Sequence, residues 1–180
     1  ERGIKVVNIP FYCIDEVATH TTALVLAVTR NLLSYTLNIR KADYSLEGYP
    51  SYVTLRSPRS RVCGFLGFGK LPRRCAQELY ACGYQLMAYD PFLPDAVFEE
   101  YHAKRGTMDE VLEQADIIMP NVPLNPETYH FVNRDSIAKM KDGVIIVNTG
   151  RGALIDEEAL VEALQSGKVA GAGLDVFEGD

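Results

Sequence analysis

Arg61-Val-Cys-Gly-Phe-Leu-Gly-Phe-Gly-Lys70 runs into Leu71-Pro-Arg-Arg-Cys-Ala-Gln-Glu-Leu-Tyr-Ala-Cys82, and Gly83-Tyr-Gln-Leu-Met-Ala-Tyr-Asp90 completes the stretch. Its first six residues, Arg61 apart, are apolar and β-prone, as a buried parallel strand requires. Gly67-Phe68-Gly69-Lys70 reads as a tight turn, Leu71 to Cys82 as a helix, and Gly83 as its stop. Tyr84 to Tyr89 reads as the next strand, with Asp90 at its end. This order is that of a dinucleotide-binding βαβ unit. The turn glycines let backbone approach a pyrophosphate, and the helix N-terminus offers N–H groups to it. Asp90 follows Gly69 by about 20 residues, the spacing of a ribose-binding acid. The glycine pattern is imperfect, because Pro72 stands where the third glycine belongs. An ordinary βαβ unit with a glycine-rich turn satisfies the same pattern.

The rest of the chain extends this unit in both directions. Ile4 to Ile9 reads as a strand, and Asp15 to Arg40 as one long helix. Val17, Thr21, Leu24, Val25, Val28, Leu32, Tyr35 and Ile39 form its apolar stripe. His20 lies beside that stripe and is read as filling a packing or hydrogen-bonding slot. Lys41 to Ser60 is polar and proline-bearing, a surface connection. Asp95 to Tyr101 allows a short helix, and Thr107-Met-Asp-Glu110 is a capping box for a helix through Gln114. A strand starts at Asp116 and must end or bulge at Pro120. Asn125 to Thr128 is a turn, Asn133 to Met140 a helix, and Val144 to Asn148 a buried strand. Asp156 caps a helix through Gln165, stopped by Gly167, and Val169 to Val176 is a last strand of small residues. Strands and helices alternate, so the expected fold is a single α/β domain with a doubly wound parallel sheet of Rossmann type.

In such sheets ligands sit at the carboxyl ends of strands. Asp90, Asn121, Asn148 to Arg151 and Asp175 are the polar residues placed there. Arg151 follows a buried strand and lies between Gly150 and Gly152, where a guanidinium can hold a carboxylate through paired hydrogen bonds. A surface arginine in a loop is the plain alternative. Asp175 either caps a turn or faces a nicotinamide amide. Glu178, His102 and His130 read as solvent-facing, and no acid–base histidine stands out.

Composition bounds the function. With 47% hydrophobic residues the chain can bury a core, and a net charge of −6 argues against direct nucleic-acid binding. No apolar run is long enough for a membrane span, and no cysteine–histidine cluster has metal-binding spacing. Cys13, Cys63, Cys75 and Cys82 read as reduced thiols of a cytoplasmic protein.

Further blocks carry a family resemblance: Asp15-Glu-Val-Ala-Thr-His20, Gly64 to Gly69, Ala88-Tyr-Asp-Pro-Phe-Leu-Pro94, Val122-Pro-Leu-Asn-Pro-Glu-Thr128, Met140 to Asp156 and Ala170 to Glu178. Together they resemble the NAD-binding domain of the D-isomer-specific 2-hydroxyacid dehydrogenases. That group includes D-lactate and phosphoglycerate dehydrogenases and the dehydrogenase-like C-terminal-binding proteins. The resemblance implies hydride transfer between NAD and a 2-hydroxy or 2-keto acid. It implies that Arg151 binds the substrate carboxylate and that Asp90 holds the adenosine ribose, with Tyr89 and Pro91 beside it. Gly67, Phe68, Gly69, Lys70 and Leu71 would meet the pyrophosphate. Asn121, Val122, Pro123, Thr128, Thr149, Gly150 and Asp175 would shape the remaining cofactor pockets.

Asp180 aligns with a glutamate that in the family supports an acid–base histidine. Residues 1–180 are accordingly expected to be the NAD-binding domain, without most of the substrate domain and the segment bearing that histidine. The family's first helix packs between subunits, so a homodimer is expected. The alternative is an NAD-sensing co-regulator module of the C-terminal-binding-protein kind, which Tyr12 to Val17 brings into view.

Overall fold

The computed structural model describes residues 3–9, 11–40 and 56–179. Its centre is the quoted βαβ unit: β1 (Val62–Leu66), α3 (Lys70–Ala81) and β2 (Gln85–Tyr89). Ahead of it lie α1 (Ile14–Thr29) and α2 (Leu32–Arg40); after it come α4 (Asp95–Glu100), β3 (Ala103–Arg105), α5 (Met108–Gln114) and β4 (Ile117–Pro120). The chain ends with α6 (Arg134–Lys139), β5 (Val144–Asn148), α7 (Glu157–Ser166) and β6 (Val169–Leu174). The six strands pair in parallel in the order β3-β2-β1-β4-β5-β6. The order reverses between β1 and β4, and that switch point is where an open α/β sheet forms its ligand crevice.

The apolar strand runs divide between two cores by the two-residue period of a strand. Cys63, Phe65, Leu86, Ala88, Ile117, Met119, Ile145 and Val147 face one side with α1, α3 and α4. Leu66, Met87, Ile118, Val144 and Ile146 face the other, with α5, α6 and α7. Residues covered on both faces must be apolar almost throughout, which is why these strands read as unbroken hydrophobic runs. The capping box at Thr107 and Glu110 forms as its sequence dictates, and Asp156 caps α7 through the Ala159 N–H. Pro120 is the last residue of β4, so its missing N–H removes no bond from the ladder's interior.

Four expectations need correction. Residues 4–9 form no strand: Ile4, Val6, Val7 and Ile9 are exposed and join no sheet ladder among the described residues. The long first helix is two helices, because Asn31 takes a left-handed backbone (φ 54°) that ends one and starts the next. Strand β3 was not foreseen; Lys104 and Arg105 are exposed there, as suits a charged sheet edge. The last strand ends at Leu174, two positions before the expected Val176. Of the expected surface connection, residues 41–55 lie outside the described residues.

Cys63 and Cys75 are buried and Cys82 is exposed. Burial pushes the Cys75 thiol up to about 12 and Cys63 well above the ordinary thiol value, so neither forms thiolate near neutrality. At pH 8 a thiol-specific disulfide reagent is expected to modify Cys82 and Cys13 in the folded chain, and Cys63 and Cys75 only with denaturant. Rapid reaction of all four thiols without denaturant would contradict this packing.

Candidate functional site

The crevice is built from the exits of β1, β2, β4, β5 and β6. At the β1 exit Gly67 has φ +91°, and a Cβ there would lie 2.9 Å from the Asn121 carbonyl carbon. Glycine is needed because the two loops touch through their backbones. The Gly67 N–H donates to the Tyr89 carbonyl (2.8 Å), and the Asn121 N–H to that of Leu66 (2.7 Å). Gly69, the N-cap of α3, differs: a Cβ there would meet nothing within 4 Å. Open space therefore faces the first turn of α3, where the Lys70 and Leu71 N–H groups lack helical partners. That is a cradle an anion fits. Pro72 is buried in this first turn, where helix geometry demands no N–H. Phe68 offers the turn only its backbone; its ring is buried, stacked on Phe98 at 5.4 Å.

Asp90 fastens the turn. Its Oδ2 accepts from the Phe68 N–H (2.9 Å) and its Oδ1 from the Phe92 N–H (3.0 Å). Tyr89, Asp90 and Pro91 line a cavity of about 440 Å³ with Arg105, Gly106, Thr107 and Glu110. Arg105 is ion-paired with Asp95 and lies over the Phe98 ring. Across the switch point, Val122 is half-buried and Pro123 exposed. Thr128 does not point its hydroxyl proton outward: Oγ1 donates to the Pro123 carbonyl (2.6 Å) and accepts from the Asn125 N–H (2.8 Å).

At the β5 exit, buried Asn148 organises the loop. Its Nδ2 donates to the Arg151 carbonyl (2.9 Å) and its Oδ1 accepts from the Gly150 N–H (3.0 Å). Its own carbonyl accepts from the Asp175 N–H (3.0 Å), which joins the β5 and β6 exits. Gly152 is compulsory, since a Cβ there would lie 1.9 Å from the Phe177 carbonyl carbon. Arg151 is exposed; its Nη1 donates to the Gly150 carbonyl (2.8 Å), and no carboxylate pairs with it among the described residues. Thr149 Oγ1 lies 2.6 Å from Thr21 Oγ1, and Asp175 Oδ1 lies 3.1 Å from His20 Nε2. Asp180 lies outside the described residues.

Glu178 is exposed as expected and His130 is half-buried, but both have partners in the fold. Glu178 accepts from the Tyr129 hydroxyl (2.6 Å) and lies 3.0 Å from His130 Nε2. The Tyr129 and His130 rings stack at 3.9 Å. These contacts strap the chain beyond β6 to the loop beyond β4. Sequence reasoning missed Asn148's role and this strap, because nothing in a polar residue type announces its partner.

The chain is similar to known proteins over nearly its whole length. The family model "D-isomer specific 2-hydroxyacid dehydrogenase, NAD binding domain" matches residues 22–180. Hydroxypyruvate reductase of Thermotoga maritima is 40% identical over 178 residues, covering 99% of this chain and 56% of that protein. D-lactate dehydrogenase of Treponema pallidum superposes with a TM-score of 0.89 at 34% identity, over 98% of this chain and 52% of that one. The chain belongs to the D-isomer-specific 2-hydroxyacid dehydrogenases. It carries their NAD-binding domain. D-lactate dehydrogenase of Aquifex aeolicus, solved with NAD and lactic acid, matches at TM-score 0.88 and 35% identity, over 99% of this chain and 52% of that one. The chain thus spans about half the length of the relatives it matches. Among the described residues of this dehydrogenase-family domain, no helix is long and apolar enough to cross a membrane.

The strap carries a pH signature. Hydrogen bonds from Tyr129 and then His130 hold the Glu178 carboxyl below its ordinary value. A depressed carboxyl stabilises the fold above its unfolded value, and that contribution disappears as pH falls through the folded value. Tyr129→Phe is expected to raise the Glu178 pKa, read by side-chain carbon NMR. Its unfolding midpoint should fall below that of the parent chain at neutral pH and converge with it in acid. A Glu178 titration unchanged by Tyr129→Phe would refute the assignment.

Proposed function

We propose that this domain binds NAD in the crevice and serves hydride transfer between NAD(H) and a 2-hydroxy or 2-keto acid. Arg151 carries the substrate half of that reading. Its guanidinium stands at a strand exit beside the crevice with no carboxylate partner among the described residues, unlike Arg74, Arg105 and Arg134, which are ion-paired. A planar fork in that position suits a 2-keto acid, whose carboxylate takes two parallel hydrogen bonds. The bound cofactor supplies the hydride acceptor or donor. Gly67 to Leu71 receive the pyrophosphate on backbone N–H groups, and Asp90 receives ribose hydroxyls on carboxylate oxygens already aligned by the turn. Tyr89 and Pro91 flank the adenosine end; Asn121, Val122, Pro123, Thr128, Thr149, Gly150 and Asp175 form the remaining walls.

Asp90 also favours NADH over NADPH. A carboxylate repels a 2′-phosphate, and the nearby Arg105 is held by Asp95 rather than free to receive one. Residues 1–180 are proposed as the cofactor domain, with Asp180 as the carboxylate beside the family's acid–base histidine. A homodimer is proposed on the exposed apolar side chains of α2, Leu32, Leu33, Leu37 and Ile39, and a cytoplasmic location on the four thiols. The reductase and dehydrogenases compared above give the co-regulator alternative no support.

Direct titration with NADH and NADPH tests this reading, with nicotinamide emission as the signal in a chain without tryptophan. Saturable binding that prefers NADH is the expected result. Asp90→Ala should weaken NADH about tenfold, the value of hydrogen bonds to a charged group, and erase the preference over NADPH. Absence of binding in a chain shown to be folded would refute the crevice assignment.

A further inference from the structure

Strand β6 reads Val-Ala-Gly-Ala-Gly-Leu, and its small residues set where α1 lies. A Cβ on Gly171 would come within 2.8 Å of Val28 Cγ1, and one on Gly173 within 3.2 Å of Leu24 Cβ. The glycines let α1 settle closely on β6. The helix then delivers two consecutive side chains to the crevice. Thr21 meets Thr149 at 2.6 Å, and His20 meets Asp175 at 3.1 Å. Thr21 already donates its one hydroxyl proton to the Val17 carbonyl (2.7 Å), so Thr149 is the donor in their contact.

We propose that His20 is a positioning residue for the cofactor's nicotinamide end, acting through Asp175. The proposal rests on the reading of the crevice as the NAD site. A carboxylate only accepts, so His20 Nε2 carries the proton and donates to Asp175 Oδ1. The Asp175 main chain is fixed by its N–H bond to the Asn148 carbonyl. His20 then fixes the side-chain rotation. Among the described residues no donor reaches Oδ2, which is left to accept from a carboxamide NH₂. Each side chain of the pair is 49% exposed, so the pair lies at the surface of the β6 exit rather than in the core. A histidine serving packing alone would be buried, and this one is not. Holding the acceptor in advance removes a rotamer-ordering cost from binding.

The experiment compares NADH with ADP-ribose, which shares the adenosine and pyrophosphate but lacks nicotinamide. Affinities are measured for the 180-residue chain and for His20→Ala and His20→Gln, with circular dichroism confirming that each is folded. His20→Ala should weaken NADH about tenfold, the scale of one charge-assisted hydrogen bond, and leave ADP-ribose within twofold. His20→Gln, whose amide nitrogen can take the place of Nε2, should recover most of the loss. Equal weakening of both ligands would mark a structural role and overturn the proposal, as would an unchanged NADH affinity. If His20→Ala misfolds, the decision falls to His20→Gln with Asp175→Asn: NADH weakening in Asp175→Asn but not in His20→Gln supports the pair, and unaltered NADH affinity in both overturns it. Failure of the parent chain to bind either ligand would instead overturn the crevice reading beneath it.

Discussion

The close approach of two backbones at Gly67 and Asn121 governs this structure. Strands β1 and β4 are neighbours, yet the chain leaves them toward opposite faces of the sheet. Their exits must pass each other before diverging, and they do so within 2.9 Å of where a side chain would begin. Two hydrogen bonds, from Gly67 to Tyr89 and from Asn121 to Leu66, lock that passage. The position of α3 follows from it, because Gly69 caps the helix two residues later. Asp90 is fixed in turn by the Phe68 N–H between them. One steric constraint thus places the helix terminus and the acid on the two sides of one crevice.

Sequence patterns reached the parts of the fold that burial dictates. Strands β1, β2, β4 and β5 are covered on both faces, so their apolar runs could serve little else. Ile4 to Ile9 has a similar composition and forms no strand. An apolar run records that a segment suits burial; it does not name what covers it. The break at Asn31 was invisible for a different reason. One left-handed residue redirects the helix while Val28, Leu32 and Tyr35 keep their spacing, so periodicity continues across the break. Strand β3 is three residues long with two charges, too short for any period to register.

The candidate site was legible as positions but not as partnerships. Asp90, Arg151 and Asp175 stand at strand exits, because a doubly wound sheet puts loop polar residues there. What each of them does depends on residues distant in sequence. Asn148 holds Arg151 and Asp175 together, and its signal was only a polar residue at the end of a buried strand. Gly152 stood out in the sequence only as a neighbour of Arg151, whereas it is the point where the chain beyond β6 crosses the loop. The departure from the family's glycine pattern at Pro72 falls in a helix turn that needs no N–H.

The pairing pattern also decides the electrostatic character of the crevice, which the net charge of −6 misrepresents. Its acids are committed to donors of the protein itself: Asp90 to two backbone N–H groups, Asp175 to His20, Glu178 to Tyr129 and His130. Of its cations, Arg105 is paired with Asp95. Among the described residues Arg151 meets no carboxylate, and Lys70 lies over the ring of Phe11 at 3.9 Å. The first turn of α3 adds unpaired N–H groups and the positive end of a helix dipole. Donors therefore gather at this crevice in a chain whose net charge is −6. Short-range donors dominate there because salt screens the distant surface carboxylates over about 10 Å. The donors left over by this pattern of pairing lie in two places, the first turn of α3 and the Arg151 guanidinium, at separate strand exits of one crevice.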